Sequence, residues 1–160
     1  MSRIEIATDD PHAADVHALL QQHLGFARAT TPPEGVYALD ADGLVDAAVT
    51  FFSLREDGAL IAVGALKELD GRHGEVKSMH TAAAARGRGA GRAMLAHIIA
   101  VAVQRGYRRL SLETGSMAAF APARALYARA GFAPCGPFAA YPASKTSTFM
   151  TMDLTSAGQA

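Results

Sequence analysis

The sequence predicts an α+β fold, an α/β three-layer arrangement with a mixed, mostly antiparallel central sheet and flanking helices. Three observations predict it. Residues 50–81 hold three strand-like runs joined by two tight turns, the pattern of an antiparallel meander. A glycine-rich turn then opens an apolar, helix-length stretch over 89–104. After it, strand, helix and strand alternate to Leu154, which makes a βαβ unit.

Arg3–Thr8 alternates and opens the chain as a strand. Asp9 or Asp10 can cap a helix with Pro11 in its first turn, running to about Leu24 with Val16, Leu19, Leu20 and Leu24 inward. Residues 29–35 read as loop, and residues 36–45 as loop plus a helical turn or two. Thr50–Arg55, Ala59–Leu69 and His73–Thr81 are the meander, with turns at Glu56-Asp57-Gly58 and Asp70-Gly71-Arg72. The helix Gly89–Gln104, stopped by Gly106, is apolar over more than half its circumference, as a helix lying on a sheet must be. Arg109–Thr114 is a short strand and Ala121–Ala130 a helix ended by Gly131. Phe138–Tyr141 is loop or short strand, and Thr146–Leu154 the last strand. One domain over residues 1–155 is expected, with a frayed tail at 156–160.

Composition narrows the function classes. Among 160 residues, 50% are hydrophobic and 19% charged, which is globular. Fifteen basic and fifteen acidic residues balance, so nothing recommends a nucleic-acid or membrane partner. One cysteine, Cys135, excludes an internal disulfide and a cysteine metal cluster, and reads as a small buried or half-buried hydrophobe. Six scattered histidines show no ligand-like spacing, so no metal is expected. The start Met-Ser-Arg-Ile-Glu-Ile has no apolar signal core, and a cytoplasmic protein is the expectation.

The local charge is uneven. Residues 86–109 hold six arginines and no acid. They surround Gly87, Gly89 and Gly91, where a strand gives way to a helix. Strand, glycine turn and helix start form a nest of backbone N–H groups suited to a phosphate or pyrophosphate. Neither the P-loop nor the dinucleotide spacing fits. A tight turn merely solvated by arginines has the same composition.

Two segments carry a resemblance. Arg86-Gly-Arg-Gly-Ala-Gly91 resembles the Arg/Gln-x-x-Gly-x-Gly/Ala signature of the GCN5-related N-acetyltransferases, and Ala125-Leu-Tyr-Ala-Arg-Ala-Gly-Phe132 resembles their second, a tyrosine-bearing helix followed by Gly-Phe. The resemblance covers roughly residues 3–154 and implies the acyl-CoA N-acyltransferase fold. Glu75–Met79, Leu110–Gly115, Cys135–Phe138 with Tyr141, and Thr148–Met150 resemble a bacterial subgroup of small acetyltransferases with loosely assigned substrates.

The resemblance implies acetyl-CoA as cofactor and transfer of its acetyl group to a primary amine of a small molecule, possibly amino-acid-like. It places the pyrophosphate on Arg86, Gly87, Arg88, Gly89, Ala90, Gly91 and Arg92. The pantetheine arm would lie along Met79, His80 and Thr81, in a splay between that strand and Leu110–Glu113. Many members place an asparagine seven residues before the tyrosine; here Phe120 stands beside the arm, so that contact is absent or taken by backbone or water. Tyr127 is the candidate acid toward the CoA sulfur, a role in which a phenol within reach donates a proton; a packed tyrosine fits the position as well. For the base, Glu113 ranks first, then Glu75, which shares Met79's face if the strand is regular, then His80. A mid-strand carboxylate such as Glu75 wants a partner: a lysine, backbone or substrate. Tyr37, Ser116, Arg124, Tyr141 and Lys145 should border the acceptor, with a basic residue there for a substrate carboxylate. A homodimer is expected, through an edge such as Thr146–Leu154. The alternatives are a protein or peptide N-acetyltransferase and a non-catalytic acyl-CoA-binding module.

Overall fold

The chain forms one seven-stranded sheet in the order β1-β2-β3-β4-β5-β7-β6, described over residues 3–157 by a computed structural model. The strands are β1 (Ile4–Thr8), β2 (Val49–Glu56), β3 (Ala59–Asp70), β4 (His73–Thr81), β5 (Arg109–Gly115), β6 (Ala133–Cys135) and β7 (Ser147–Asp153). The helices are α1 (Ala14–Thr30), α2 (Ala90–Gln104), α3 (Ala121–Ala130) and a final turn, α4 (Leu154–Ala157). Every strand pair is antiparallel except β4–β5, which the crossover through α2 makes parallel.

Two apolar clusters sandwich the sheet. Under α2 and α3 lie Phe52, Leu66, Val76, Met94, Ile98, Leu110, Leu112 and Tyr127. Under α1 lie Val16, Leu19, Leu20, Phe51, Val63 and Ala65. Neighbouring residues of one strand, such as Val63 against Ala62, thus enter different layers, as the two-residue period of a strand requires.

Several elements differ from expectation for identifiable reasons. α1 starts at Ala14 rather than Pro11, because Asp10 Oδ1 accepts the His12 N–H at 2.9 Å and closes a local turn first. It continues through Gly25 to Thr30, since Ala27 is buried and Phe26 packs edge-to-face on Phe120; tertiary packing overrides the glycine. Short 3-10 turns occupy Pro33–Gly35 and Gly43–Val45 in the stretch read as irregular. β6 was not expected, because Pro134 lies in its centre, but an edge strand tolerates proline. β7 is therefore an inner strand, not the edge proposed for pairing, and Cys135, on the outer strand β6, is exposed rather than buried. The tail forms a helical turn to Ala157; residues 158–160 of the expected frayed segment, and Met1 and Ser2 of the start read as without an apolar signal core, lie outside the described residues.

The functional feature of this fold is where β4 and β5 part. They pair only from His73–Val76 against Arg109–Leu112. Beyond Val76, β4 carries a bulge against β3, with Ser78 at φ 58°. Bulges bend a strand and redirect its side chains. Val76 and Met79, three apart, both enter the cluster under α2. Glu75, next to Val76, therefore faces the opposite way from Met79, which corrects the shared face expected of a regular strand.

Candidate active site

The loop from β4 to α2 is built by two glycines. Gly87 and Gly89 sit at φ 80° and 85°, in the left-handed region that side chains rarely enter, and Gly89 is the N-cap of α2. No side chain caps that helix, so its first N–H groups are open to an anion at the positive end of the helix dipole. Arg86, Gly87, Gly89, Ala90 and Gly91 line the cavity described next. The other two arginines of the turn do not line it: Arg88 pairs with Glu56, and Arg92 is exposed on the helix.

From this turn a cavity of about 510 Å³ runs through the gap between β4 and β5 to the underside of α1. Met79, His80 and Thr81 form one wall, Glu113, Thr114 and Gly115 the other. Leu126 and Tyr127 of α3 close one side, and His23 and Phe26 of α1, with Val36 and Tyr37, the other. Ser78 Oγ, at the bulge in this wall, is buried without a hydrogen-bond partner among the described residues.

Tyr127 and Glu113 face this one cavity from different layers. Burial, and after it the charge of Glu113, pushes the Tyr127 phenol pKa well up, so it stays protonated at neutral pH. Burial likewise raises Glu113. The Lys77 ammonium pulls it back and the Glu75 charge pushes it up; the Ser147 hydroxyl lies close enough to lower it without completing a hydrogen bond. A proton donor and a carboxylate with a pKa moved toward neutrality thus share one chamber, the arrangement general acid–base work needs.

Glu75 is engaged elsewhere. Its Oε2 accepts from Lys77 Nζ at 3.2 Å and from the Tyr141 hydroxyl at 2.5 Å, and Lys77 Nζ also donates to Tyr141 at 2.8 Å. The lysine and glutamate side chains are 9% and 3% exposed, so this is a buried ion pair. It ties the loop 136–146 over the sheet, where Tyr141 also packs on Tyr37, Phe138 and Phe149 at centroid distances of 5.1, 5.1 and 5.7 Å. Lys77 lines the cavity and Glu75 does not. The Glu75 carboxylate is thus taken up by this triad, whereas Glu113 faces the cavity.

His80 pairs with a residue the sequence did not mark. Its Nδ1 lies 3.3 Å from His23 Nδ1 across the cavity wall. Burial, then the charge of Arg86, lowers the His80 pKa to about 4; burial, then His80, does the same for His23. Both are neutral at pH 7, one donating to the other.

Four of the five residues expected at the acceptor lie outside the cavity lining, Tyr37 alone being in it; Tyr141 is in the triad with Glu75 and Lys77. Arg124 Nη1 donates to the carbonyls of Gly115 at 2.7 Å and Met117 at 3.0 Å, so it braces the turn after β5. Ser116 Oγ bonds Thr148 Oγ1 at 2.8 Å. Lys145 is exposed on the outer loop. Phe120 does line the cavity, with its ring on Gly115, where any Cβ would collide with it, and its edge on Phe26 at 5.2 Å. Lys77 was foreshadowed by its spacing, two residues from Glu75 on one strand face. His23 and Phe26 were not, since their partners are far away in sequence.

The profile described as the Acetyltransferase (GNAT) family matches residues 14–132. The chain belongs to that family. It is 47% identical to the uncharacterized N-acetyltransferase YsnE of Bacillus subtilis, over 94% of this chain and all of that one. It is 33% identical to the IAA acetyltransferase of Azospirillum brasilense, over 96% of this chain and all of the other. Its fold matches a GNAT family acetyltransferase from Elizabethkingia anophelis with acetyl-CoA bound, at TM-score 0.69 and 18% identity, covering 94% of this chain and 98% of that one.

The protein is an acetyl-CoA-dependent N-acetyltransferase. The residues present fit that co-substrate: an uncapped helix start behind two left-handed glycines, an orphan hydroxyl and a channel through the sheet. With Phe120 in place of an amide side chain, no side-chain hydrogen bond is available there. Among the described residues no helix is long and apolar enough to cross a membrane, and no cluster of three metal-ligating side chains occurs.

Proposed function

We propose that the protein acetylates a primary amine of a small molecule by direct transfer. The observation that carries this is the placement of Tyr127 and Glu113 in one chamber, whose wall residues Lys77 and Tyr37 are backed by the tied-down loop 136–146. A peptide acceptor needs an open groove, whereas the packing of Tyr141 on Tyr37 holds that wall of the chamber in place.

In this reading the pyrophosphate sits on the N–H groups of residues 87–91 and the pantetheine arm runs past Met79, His80, Thr81 and Phe120. The amine loses its proton to Glu113 and its nitrogen bonds the thioester carbonyl carbon. The C–S bond then breaks, and the departing sulfur takes the Tyr127 proton. The acylated nitrogen gives its second proton to the Tyr127 phenolate, directly or through solvent, and Glu113 returns its proton to solvent. Glu113 suits the first step because a base with a pKa nearer the working pH combines ionisation with proton affinity.

The test measures CoA thiol release and product mass with small amines and with peptides of free N-terminus or lysine. Amine-dependent thiol release with an acetylated small product supports the reading. Acetylation of peptides alone overturns it. IAA, named for the Azospirillum relative, belongs in the same assay; its acetylation in preference to every amine also overturns the reading. The reading includes a cytoplasmic homodimer joined at β1 or β6 rather than β7, and a concentration-independent monomer mass in light scattering removes the dimer.

A further inference from the structure

The acceptor chamber can be characterised by its charges. Among the described residues, the cavity is lined by two basic side chains, Lys77 and Arg86, and one acidic one, Glu113, with the neutral His23–His80 pair beside them. Arg86 stands at the glycine turn, where the pyrophosphate is expected. Lys77 is already opposed by Glu75, buried with it, and bonded to Tyr141. The basic residues once expected to meet a substrate carboxylate are elsewhere: Arg124 on backbone carbonyls, Lys145 on the outer loop.

The balance is then simple. Lys77 and Glu75 cancel, and Glu113 leaves one negative charge. An entering ammonium cancels it. An ammonium that also carries a carboxylate brings a second negative charge, which must share Lys77 with Glu75 or stay unpaired in a buried site. Buried charges without a partner are strongly disfavoured. Apart from the Thr31 hydroxyl, the walls on this side are mainly apolar or aromatic: Phe26, Ala27, Val36, Tyr37 and Phe120. Aromatic faces also attract an ammonium.

We propose that the acceptor is a primary amine with an apolar body and no carboxylate, its ammonium on Glu113 and its body against Tyr37 and Phe26. This rests on the small-molecule amine reading above and narrows it, away from an amino acid.

The experiment compares three probe amines of one skeleton: phenylethylamine, phenylalanine and phenylalanine methyl ester. A second set, isoamylamine, leucine and leucine methyl ester, repeats it without the ring. Each kcat/KM is normalised to the protonated fraction of the amine, the form that pairs with Glu113. The ester keeps the bulk of the amino acid and removes its charge. The expected result, in at least one set, is amine and ester within about tenfold of each other and the free amino acid lower by about 100-fold, the scale of one uncompensated buried charge. A free amino acid equal to or better than its ester in both sets overturns the proposal while leaving small-molecule acetylation intact. An ester as poor as the amino acid in both sets also overturns it, because size and not charge then discriminates. No turnover of any probe, with acetyl-CoA bound and peptides acetylated, overturns the small-molecule reading as well.

Discussion

Tyr141 and Glu75, on a late loop and a central strand, share a 2.5 Å hydrogen bond inside the protein, and Lys77 completes the triangle at 2.8 and 3.2 Å. Burial, and then the Glu75 charge, push the Tyr141 pKa far up, so its proton stays in place and the tie holds across neutral pH. Tyr141→Phe keeps the ring on Tyr37 and removes only the hydroxyl. Hydrogen bonds to charged groups contribute about 1.5–3 kcal/mol. A loss of that size in urea unfolding is expected, with faster proteolysis within 136–146. An unchanged midpoint and unchanged proteolysis would mean that the loop is held by its aromatic packing alone.

Gly89→Val should weaken acetyl-CoA binding without unfolding the chain. A β-branched residue at φ 85° is strained, and it crowds the N–H groups of the helix start. The Kd for CoA should rise about tenfold or more, a change of about 1.4 kcal/mol. Calorimetry on a variant with the parent's circular dichroism is the check, and equal affinity would move the pyrophosphate off this turn.

Gly115→Ala places a Cβ against the Phe120 ring, closer than any real contact, so the ring must shift. Overpacking of this kind costs about 1–3 kcal/mol. Phe120→Ala in the same chain should recover part of that loss, a coupling that a double-mutant cycle reads directly. Strict additivity would show that the ring leaves Gly115 freely.

The His23–His80 pair should make the protein acid-sensitive. Both folded pKa values lie at about 4, below the ordinary 6.5. Between these values the unfolded chain binds protons that the folded chain does not, so stability falls as pH drops through that window and levels off below it. A variant with both histidines changed to glutamine should lose less Tm between pH 6.5 and pH 4 than the parent. Parallel curves would show the pair is not the source.

Much of the fold was legible because the signals were local. The turn glycines Gly58 and Gly71 fixed the meander, and Gly131, at φ 112°, ended α3 where the sequence placed it. α1 outran its expected end because Phe26 and Ala27 gain more from packing than Gly25 costs, and that gain depends on Phe120, far along the chain. β6 hid behind Pro134 for the same reason: only its place at an edge makes it permissible. At the site, the glycine turn carried its own geometry, whereas the fates of Glu75 and Arg124 were decided by Tyr141 and by the carbonyls of Gly115 and Met117. No spacing rule encodes such partners. The Ser78 bulge was equally silent, and it set which side chains share a face with Met79.

The central claim is that Tyr127 supplies the proton for the departing sulfur, and Tyr127→Phe tests it most directly. The substitution keeps the ring in its 7% exposed site against Phe132 and deletes the hydroxyl. Steady-state acetylation should show kcat lower by about 10²-fold, the usual contribution of a positioned proton donor. CoA affinity by calorimetry should stay near the parent's, because an interaction made in the transition state is lost from kcat rather than from ground-state binding. Turnover within about threefold of the parent, with chemistry shown to be rate-limiting, would contradict the account and make Tyr127 a packing residue.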